Sequence, residues 1–99
     1  MIREVAILNV RADQQAAFEL AFTGAVPLIR ATRGFLRLDL ERCLESENRY
    51  LLTVEWETLE NHTVDFRQSH RYNDWKAALH RFYEPFPTVE HYESVIAIA

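Results

Sequence analysis

Glycine, cysteine and long apolar runs are scarce in this sequence, and each scarcity excludes a class of protein. The two glycines, Gly24 and Gly34, are too far apart to form the clustered-glycine loops with which dinucleotide-binding and P-loop proteins hold phosphates. The single cysteine, Cys43, has no partner for an internal disulfide. No apolar run approaches the roughly 20 residues that a membrane-spanning helix needs, and we find no apolar leader segment. We therefore expect a cytoplasmic protein that holds no nucleotide cofactor.

Basic residues are also in the minority. The chain has 11 Lys and Arg against 15 Asp and Glu, so its net charge is -4. Proteins that bind nucleic acids concentrate positive charge on one face, so a nucleic-acid partner is not expected. The hydrophobic fraction of 48% and the charged fraction of 26% are those of an ordinary folded protein. A length of 99 residues predicts a single domain spanning residues 1–99.

The apolar pattern predicts the element order β-α-β-β-α-β. Period-two alternation predicts four strands, at residues 2–10, 35–41, 49–56 and 89–99. A first helix is predicted after Asp13 as its N-cap, and a broken helical region is predicted with N-caps at Thr58 and Ser69. This order is the signature of a ferredoxin-like α+β sandwich, in which two helices cover one face of a four-stranded antiparallel sheet.

The face of the predicted sheet that points away from the helices is apolar. It would carry Val5, Ile7, Leu51, Thr53 and Val95. An apolar face of this extent is rarely left open to water in a monomer. The sequence therefore predicts a homodimer in which two sheets pack face to face around a two-fold axis.

Four segments of the chain resemble the antibiotic biosynthesis monooxygenase (ABM) family. They are AILNVRADQQAAFELAF, RGFLRLDL, VEWETLENHTVDFRQS and YNDWKAALHRFYEPFPTVEHY, and their order and spacing carry the resemblance over nearly the whole chain. The resemblance implies a dimeric α+β barrel. The family includes cofactor-independent oxygenases of polycyclic phenols, quinol-type monooxygenases, haem-degrading enzymes and a branch that processes a quorum signal.

Single residues bear on which substrate and which cofactor the resemblance implies. Trp56 matches the aromatic residue that ends the third strand in oxygenases of aromatic polyketides. Such an oxygenase has an Asn four residues before this Trp and an aromatic hydroxyl six residues after it, where this chain has Leu52 and His62. A different substrate is therefore expected. The haem-degrading branch has an Asn on the first strand where this chain has Ala6, which disfavours haem.

The stretch from Arg49 to Tyr92 contains all four histidines and most of the aromatic residues, so we expect it to line any pocket. His62 is the candidate catalytic base, because an imidazole titrates near neutral pH and can take a phenolic or enolic proton. It could equally be a core histidine bonded to a backbone carbonyl. No metal-ligand spacing is present, so no metal is expected. The expected pocket residues are Trp56, Phe66, His70, Tyr72 and Trp75.

The function expected from these features is a cofactor-independent monooxygenase that uses dioxygen to oxidise a small phenol, quinol or enol. Two alternatives remain open. A non-catalytic ligand-binding dimer would gain thermal stability from its ligand without turnover. An isomerase of a small oxygenated metabolite or signal would form product without oxygen.

Overall fold

The computed structural model describes residues 1–99 and contains the elements in the predicted order. The strands are β1 (Ile2–Asn9), β2 (Phe35–Arg42), β3 (Arg49–Trp56) and β4 (Val89–Tyr92). The helical segments are α1 (Gln15–Arg30), a π-helix (Asn61–Phe66), α2 (His70–Leu79) and a 3-10 turn (His80–Phe82). The break in the second helical region is confirmed, and Ser69 caps α2 by accepting a hydrogen bond from the backbone N–H of Tyr72. A bilayer crossing would need a longer and more apolar helix than any in this chain.

The sheet is antiparallel, with the strand order β2-β3-β1-β4. The central strand β1 therefore has a neighbour on each side. Glu4 of β1 lies opposite Val54 of β3 on one side and opposite His91 of β4 on the other. This register places the side chains of Glu4 and His91 on the same face of the sheet.

The core lies between this inner face and the two helices, as the predicted ferredoxin-like α+β sandwich requires. Sixteen apolar residues are buried together in one cluster. From α1 the buried stripe consists of Phe18, Phe22, Ala25 and Ile29. From α2 it consists of Trp75 and Leu79. Burying each large apolar side chain stabilises the fold by roughly 1.5–3 kcal/mol, so this cluster fixes the helices against the sheet.

The start of α1 differs from the prediction. Asp13 has a φ of 64° and precedes the helix by two residues, and no side chain caps the first turn. The backbone N–H of Gln14 instead donates to the carbonyl of Arg11. A turn, rather than an Asp N-cap, therefore delivers the chain into the helix.

The predicted final strand over 89–99 is wrong beyond Tyr92. Tyr92 and Arg3 form the last residue pair of the β1–β4 ladder, and no strand continues after Tyr92. The following apolar side chains are left in water, and Val95 is 91% exposed. Val95 therefore does not join the outer face of the sheet, which retains Val5, Ile7, Leu51 and Thr53.

Candidate functional site

A cavity of about 290 Å³ lies between the inner face of the sheet and the second helical region. Ten of its 15 lining residues are hydrophobic. Most ligand pockets have volumes of roughly 300–1,000 Å³, so this cavity suits a small ligand. The charged and histidine side chains of its wall are Glu4, His62, Arg67 and His80, and two of the hydrophobic residues, Tyr72 and Tyr83, add hydroxyl groups.

A larger groove of about 540 Å³ runs between α1 and β2, but its one carboxylate, that of Glu19, is already paired. The carboxylate of Glu19 accepts hydrogen bonds from Arg42 and from the hydroxyl of Tyr50, both at 2.6 Å. The groove also opens widely to solvent. The smaller cavity is therefore the better candidate, since it brings buried titratable groups together.

Glu4 is the buried acid of the cavity. It follows the same alternation as Ala6 and Leu8, so β1 carries its side chain inward, where it is only 5% exposed. The indole Nε1 of Trp56 donates a hydrogen bond to Glu4 Oε1 over 3.0 Å. Burial raises the pKa of Glu4 to about 7, against the opposing effects of the Trp56 hydrogen bond and the charge of Arg67. Both the acid and the carboxylate are therefore populated at neutral pH.

His62 connects Glu4 to a second histidine. Its Nε2 lies 3.3 Å from Glu4 Oε1, and its Nδ1 lies 2.7 Å from Nε2 of His91. The ring is 2% exposed and stacks on the indole of Trp56, with 5.6 Å between the ring centroids. Burial, with smaller contributions from Arg67 and His91, lowers the pKa of His62 to about 3. The imidazole is therefore neutral at physiological pH.

Asn61 holds the start of the π-helix that carries His62. Its Oδ1 accepts hydrogen bonds from the backbone N–H and the hydroxyl of Thr58, both at 2.9 Å, and its Nδ2 donates to Asp65. The Asn61 amide lies directly against Gly34, which has a φ of 81°. The turn before β2 therefore packs against Asn61 and helps to position the next residue, His62, on the cavity wall.

The structure brings most of the sequence-predicted site residues together. His62, Phe66, Tyr72 and Trp75 all line the cavity. Trp56 is fully buried behind His62, where it packs against the rings of His62 and Phe66 and does not line the cavity. His70 is exposed and also lies outside the cavity lining, because the residues of α2 that turn inward are Tyr72, Trp75 and Leu79.

Sequence reasoning missed Glu4, and it left His91 without a role. The period-two pattern could have found both residues. Glu4 is in phase with the buried face of β1, and His91 is in phase with Val89, which packs against the core. A charged residue at the start of a strand is ordinarily solvated, so its alignment with the apolar face was the informative signal.

The arrangement can transfer a proton to or from a small ligand. A carboxyl group whose pKa is raised to about 7 faces an apolar cavity and lies 3.3 Å from the first of two hydrogen-bonded imidazoles. Such a row is suited to acid–base chemistry. The side chains form no group of three His, Cys, Asp or Glu arranged to hold a metal ion.

Comparisons with known proteins place the chain in a family. The family model described as antibiotic biosynthesis monooxygenase matches residues 1–78. The uncharacterized protein YczJ of Bacillus subtilis (strain 168) is 50% identical over 95 residues, which cover 96% of this chain and 100% of that protein. Among solved structures, a candidate antibiotic biosynthesis monooxygenase from Bordetella bronchiseptica is 37% identical, with a TM-score of 0.91 over 96% of this chain and 97% of that one.

A second solved structure shares the fold at much lower identity. SnoaB, a cofactor-independent oxygenase from Streptomyces nogalater, is 18% identical to this chain. The two superpose with a TM-score of 0.81, over 98% of this chain and 95% of SnoaB. The fold, the family match and the close relatives agree, and the chain belongs to the antibiotic biosynthesis monooxygenase family.

Proposed function

We propose that this protein is a cofactor-independent monooxygenase that oxidises a small phenol, quinol or enol with dioxygen. The observation that carries the proposal is the buried Glu4–His62 pair on the wall of a small, mostly apolar cavity. Family membership supports a monooxygenase-type activity. The fold shared with SnoaB, described as a cofactor-independent oxygenase, supports chemistry without a cofactor.

The proposed reaction starts with proton removal. A phenol, quinol or enol that loses a proton becomes an electron-rich anion, which can pass one electron to dioxygen. The resulting radical pair forms a carbon–oxygen bond, and the peroxide then loses water. A methylene carbon thereby becomes a carbonyl carbon and one water is released, so the carbon is oxidised by four electrons and dioxygen is the only oxidant. The protein has to supply only a proton acceptor and a site that excludes water.

The cavity offers further support for an anionic intermediate. Arg67 lines it, and its positive charge lowers the pKa of both Glu4 and His62. A positive potential of this kind stabilises a phenolate or enolate at the same place. The rings of Phe66 and Trp75 form an apolar wall on which a small aromatic substrate can pack.

Oxygen uptake tests the proposal. Purified protein is expected to consume one dioxygen per substrate molecule with at least one member of a panel of naphthalenediols, anthrones and small enols. His62→Ala is expected to lower the rate by about tenfold or more, because positioned proton-transfer groups contribute about 10²–10⁴-fold. His70→Ala, which changes an exposed histidine, serves as the matched control and should keep the wild-type rate.

Other outcomes identify the alternatives. Product formed under strict anaerobiosis would contradict the oxygenase and indicate an isomerase. Ligands that raise the melting temperature without any turnover would indicate a binding module. Wild-type uptake that His62→Ala leaves unchanged would remove the Glu4–His62 pair from the mechanism.

We also propose that two copies pack sheet to sheet. The outer face exposes Ile7 by 51% and Leu51 by 37%, beside Val5 and Thr53. Analytical ultracentrifugation is expected to give twice the chain mass of 11.7 kDa. Ile7→Lys should shift the protein to monomer by placing a charge in the packed face, whereas Val64→Lys, on the π-helix, should not. A wild-type protein that sediments as a monomer at all concentrations would contradict this assembly.

A further inference from the structure

We propose that Glu4 is the group that takes the substrate's proton, and that His62 and His91 form a relay that returns this proton to water. This inference rests on the proposed function and assigns its acid–base roles. Glu4 is the catalytic base, because it faces the cavity and would contact the substrate. The two histidines act through Glu4.

The contacts of His62 argue against its acting as the direct base. Its Nδ1 is hydrogen-bonded to Nε2 of His91, and its Nε2 lies 3.3 Å from Oε1 of Glu4. The ring faces are also covered, since His62 stacks on Trp56 and lies against Phe66. A ligand would therefore have to compete with Glu4 for Nε2, since Nδ1 is already bonded.

Glu4 has one side-chain oxygen, Oε2, without a hydrogen-bond partner. Its Oε1 accepts the hydrogen bond from Trp56 and lies beside His62, and its Oε2 takes part in no hydrogen bond of the site. Glu4 also lines the cavity. A carboxylate oxygen that faces an apolar cavity without a partner is a strong acceptor for a phenolic or enolic proton.

When the 3.3 Å contact between Glu4 and His62 closes into a hydrogen bond, the three side chains have two fully hydrogen-bonded arrangements that differ by one proton. With Glu4 ionised, His62 carries its proton on Nε2 and donates to Glu4, and His91 donates from Nε2 to Nδ1 of His62. With Glu4 protonated, the acid donates to Nε2 of His62, the proton of His62 lies on Nδ1, and that of His91 lies on its own Nδ1. Both imidazoles stay neutral in both arrangements.

A catalytic cycle passes through the two arrangements. The substrate's O–H or C–H bond breaks, its electron pair stays on the substrate, and its proton moves to the Glu4 carboxylate. The two imidazoles then change from their Nε2–H to their Nδ1–H tautomers by proton exchange with water, His62 through the cavity and His91 at its half-buried edge, and this gives the protonated arrangement. Loss of the proton from Nδ1 of His91 to water restores the carboxylate. His91 suits this last step because it is half-buried and its Nδ1 has no partner within the chain.

The charges around the row are consistent with this cycle. Burial keeps the pKa of Glu4 near 7, so a base and its conjugate acid are both accessible. Burial and Arg67 lower the pKa values of His62 and His91, which keeps both rings neutral. The remaining titratable groups on the cavity wall are Tyr72, His80 and Tyr83. Burial raises the pKa of Tyr83 and lowers that of His80, so neither adds charge near pH 7.

Proton abstraction can be measured without oxygen. The probe is 2-indanone, a small enolisable ketone, dissolved in heavy water under argon, and proton NMR follows the exchange of its methylene protons. Wild-type protein is expected to accelerate the exchange, and Glu4→Gln is expected to lose about 100-fold or more of that rate. Gln is close in shape and keeps an acceptor for Trp56. Glu90→Gln, on the outer face of β4, is the matched control and should exchange like wild type.

The relay has its own readout. In protein labelled with 15N histidine, His62 is expected to switch from the Nδ1–H to the Nε2–H tautomer as the pH rises through the pKa of Glu4, and Glu4→Gln should abolish the switch. His91→Gln keeps a hydrogen bond to His62 but cannot shuttle a proton. Its exchange rate should become dependent on buffer concentration and recover on addition of imidazole.

The outcomes separate this inference from the proposed function. If proton exchange depends on Glu4 but the protein consumes no oxygen, the proposed oxygenase activity is wrong and the role of Glu4 as base stands. If Glu4→Gln still consumes oxygen at the wild-type rate, the oxygenase activity stands and the role of Glu4 as base is wrong. A wild-type protein that exchanges 2-indanone no faster than buffer, or a His62 that holds one tautomer from about pH 5 to 9, would also overturn the inference.

Discussion

Replacing Gly34 by Ala is expected to lower the free energy of unfolding by about 3–5 kcal/mol. An L-residue at the φ of 81° found here costs roughly 1–2 kcal/mol. The new Cβ would also overlap the side-chain amide of Asn61. That amide would have to move away from Thr58 and Asp65, and each lost hydrogen bond costs about 0.5–1.5 kcal/mol. Chemical denaturation followed by circular dichroism measures the change.

The chain's other glycine supplies a control of opposite sign. Gly24 lies inside α1, and a Cβ there would meet nothing within 4 Å. Gly24→Ala is therefore expected to stabilise the protein by about 0.5–1 kcal/mol, the helix-propensity difference between the two residues. The double variant Gly34→Ala with Asn61→Ala should cost less than the sum of the single changes, because both remove the same hydrogen bonds. Additive costs would show that the clash with Asn61 is not the cause.

Glu4 and His62 are expected to give the protein opposite pH dependences that cancel in the wild type. The pKa of Glu4 rises from 4.5 to about 7 on folding, so its contribution to stability is complete below pH 4.5 and is lost as the pH rises through 7. The pKa of His62 falls from 6.5 to about 3, so its contribution is complete above pH 6.5 and is lost as the pH falls toward 3. Between pH 4.5 and 6.5 the two slopes oppose each other.

Single variants should show separately how each residue makes the free energy of unfolding depend on pH. Glu4→Gln leaves only His62, so the free energy of unfolding should rise by about 3 kcal/mol from pH 4.5 to 6.5, at about 1.4 kcal/mol per pH unit. His62→Gln leaves only Glu4, so it should fall by about 3 kcal/mol from pH 4.5 to above 7. Urea titrations at a series of pH values measure both, and subtracting the wild-type profile removes the titrations that all three proteins share. Identical profiles for Glu4→Gln and wild type would contradict the raised pKa of Glu4.

Most of the fold could be predicted because its determinants are local and periodic. The alternation in β2 and β3, the Ser69 cap and the helical stripe of Trp75 and Leu79 each specify an element without information from elsewhere in the chain. The error at the C-terminus has a different origin. Residues 94–99 have an apolar pattern that suits a strand, but a strand needs a neighbour, and these residues pair with none.

The site was harder to predict because its geometry depends on pairings between distant segments. His62 was found from its residue type and from its neighbours along the chain. Its partners are 58 positions earlier, at Glu4, and 29 positions later, at His91. The sheet register brings Glu4 beside His91, the packing of the π-helix on the sheet adds His62, and no local pattern specifies either. The phase of Glu4 in the first strand indicates that its side chain points inward, but its contacts with Trp56 and His62 could not be read from that strand alone.

Because β4 is short, the length of the segment between Tyr83 and Val89 sets the register of β4 against β1. Only four residue pairs, from Arg3–Tyr92 to Ala6–Val89, hold this strand to β1. A slip of one position would turn His91 to the outer face and bring Glu90 or Tyr92 inward. Adding or deleting one residue between Tyr83 and Val89 is therefore expected to leave the circular dichroism spectrum unchanged and to abolish the pH-dependent tautomer switch of His62, because the proposed relay would lose His91. Surface connections usually tolerate such changes in length, but here the length of the connection decides whether His91 can contact His62.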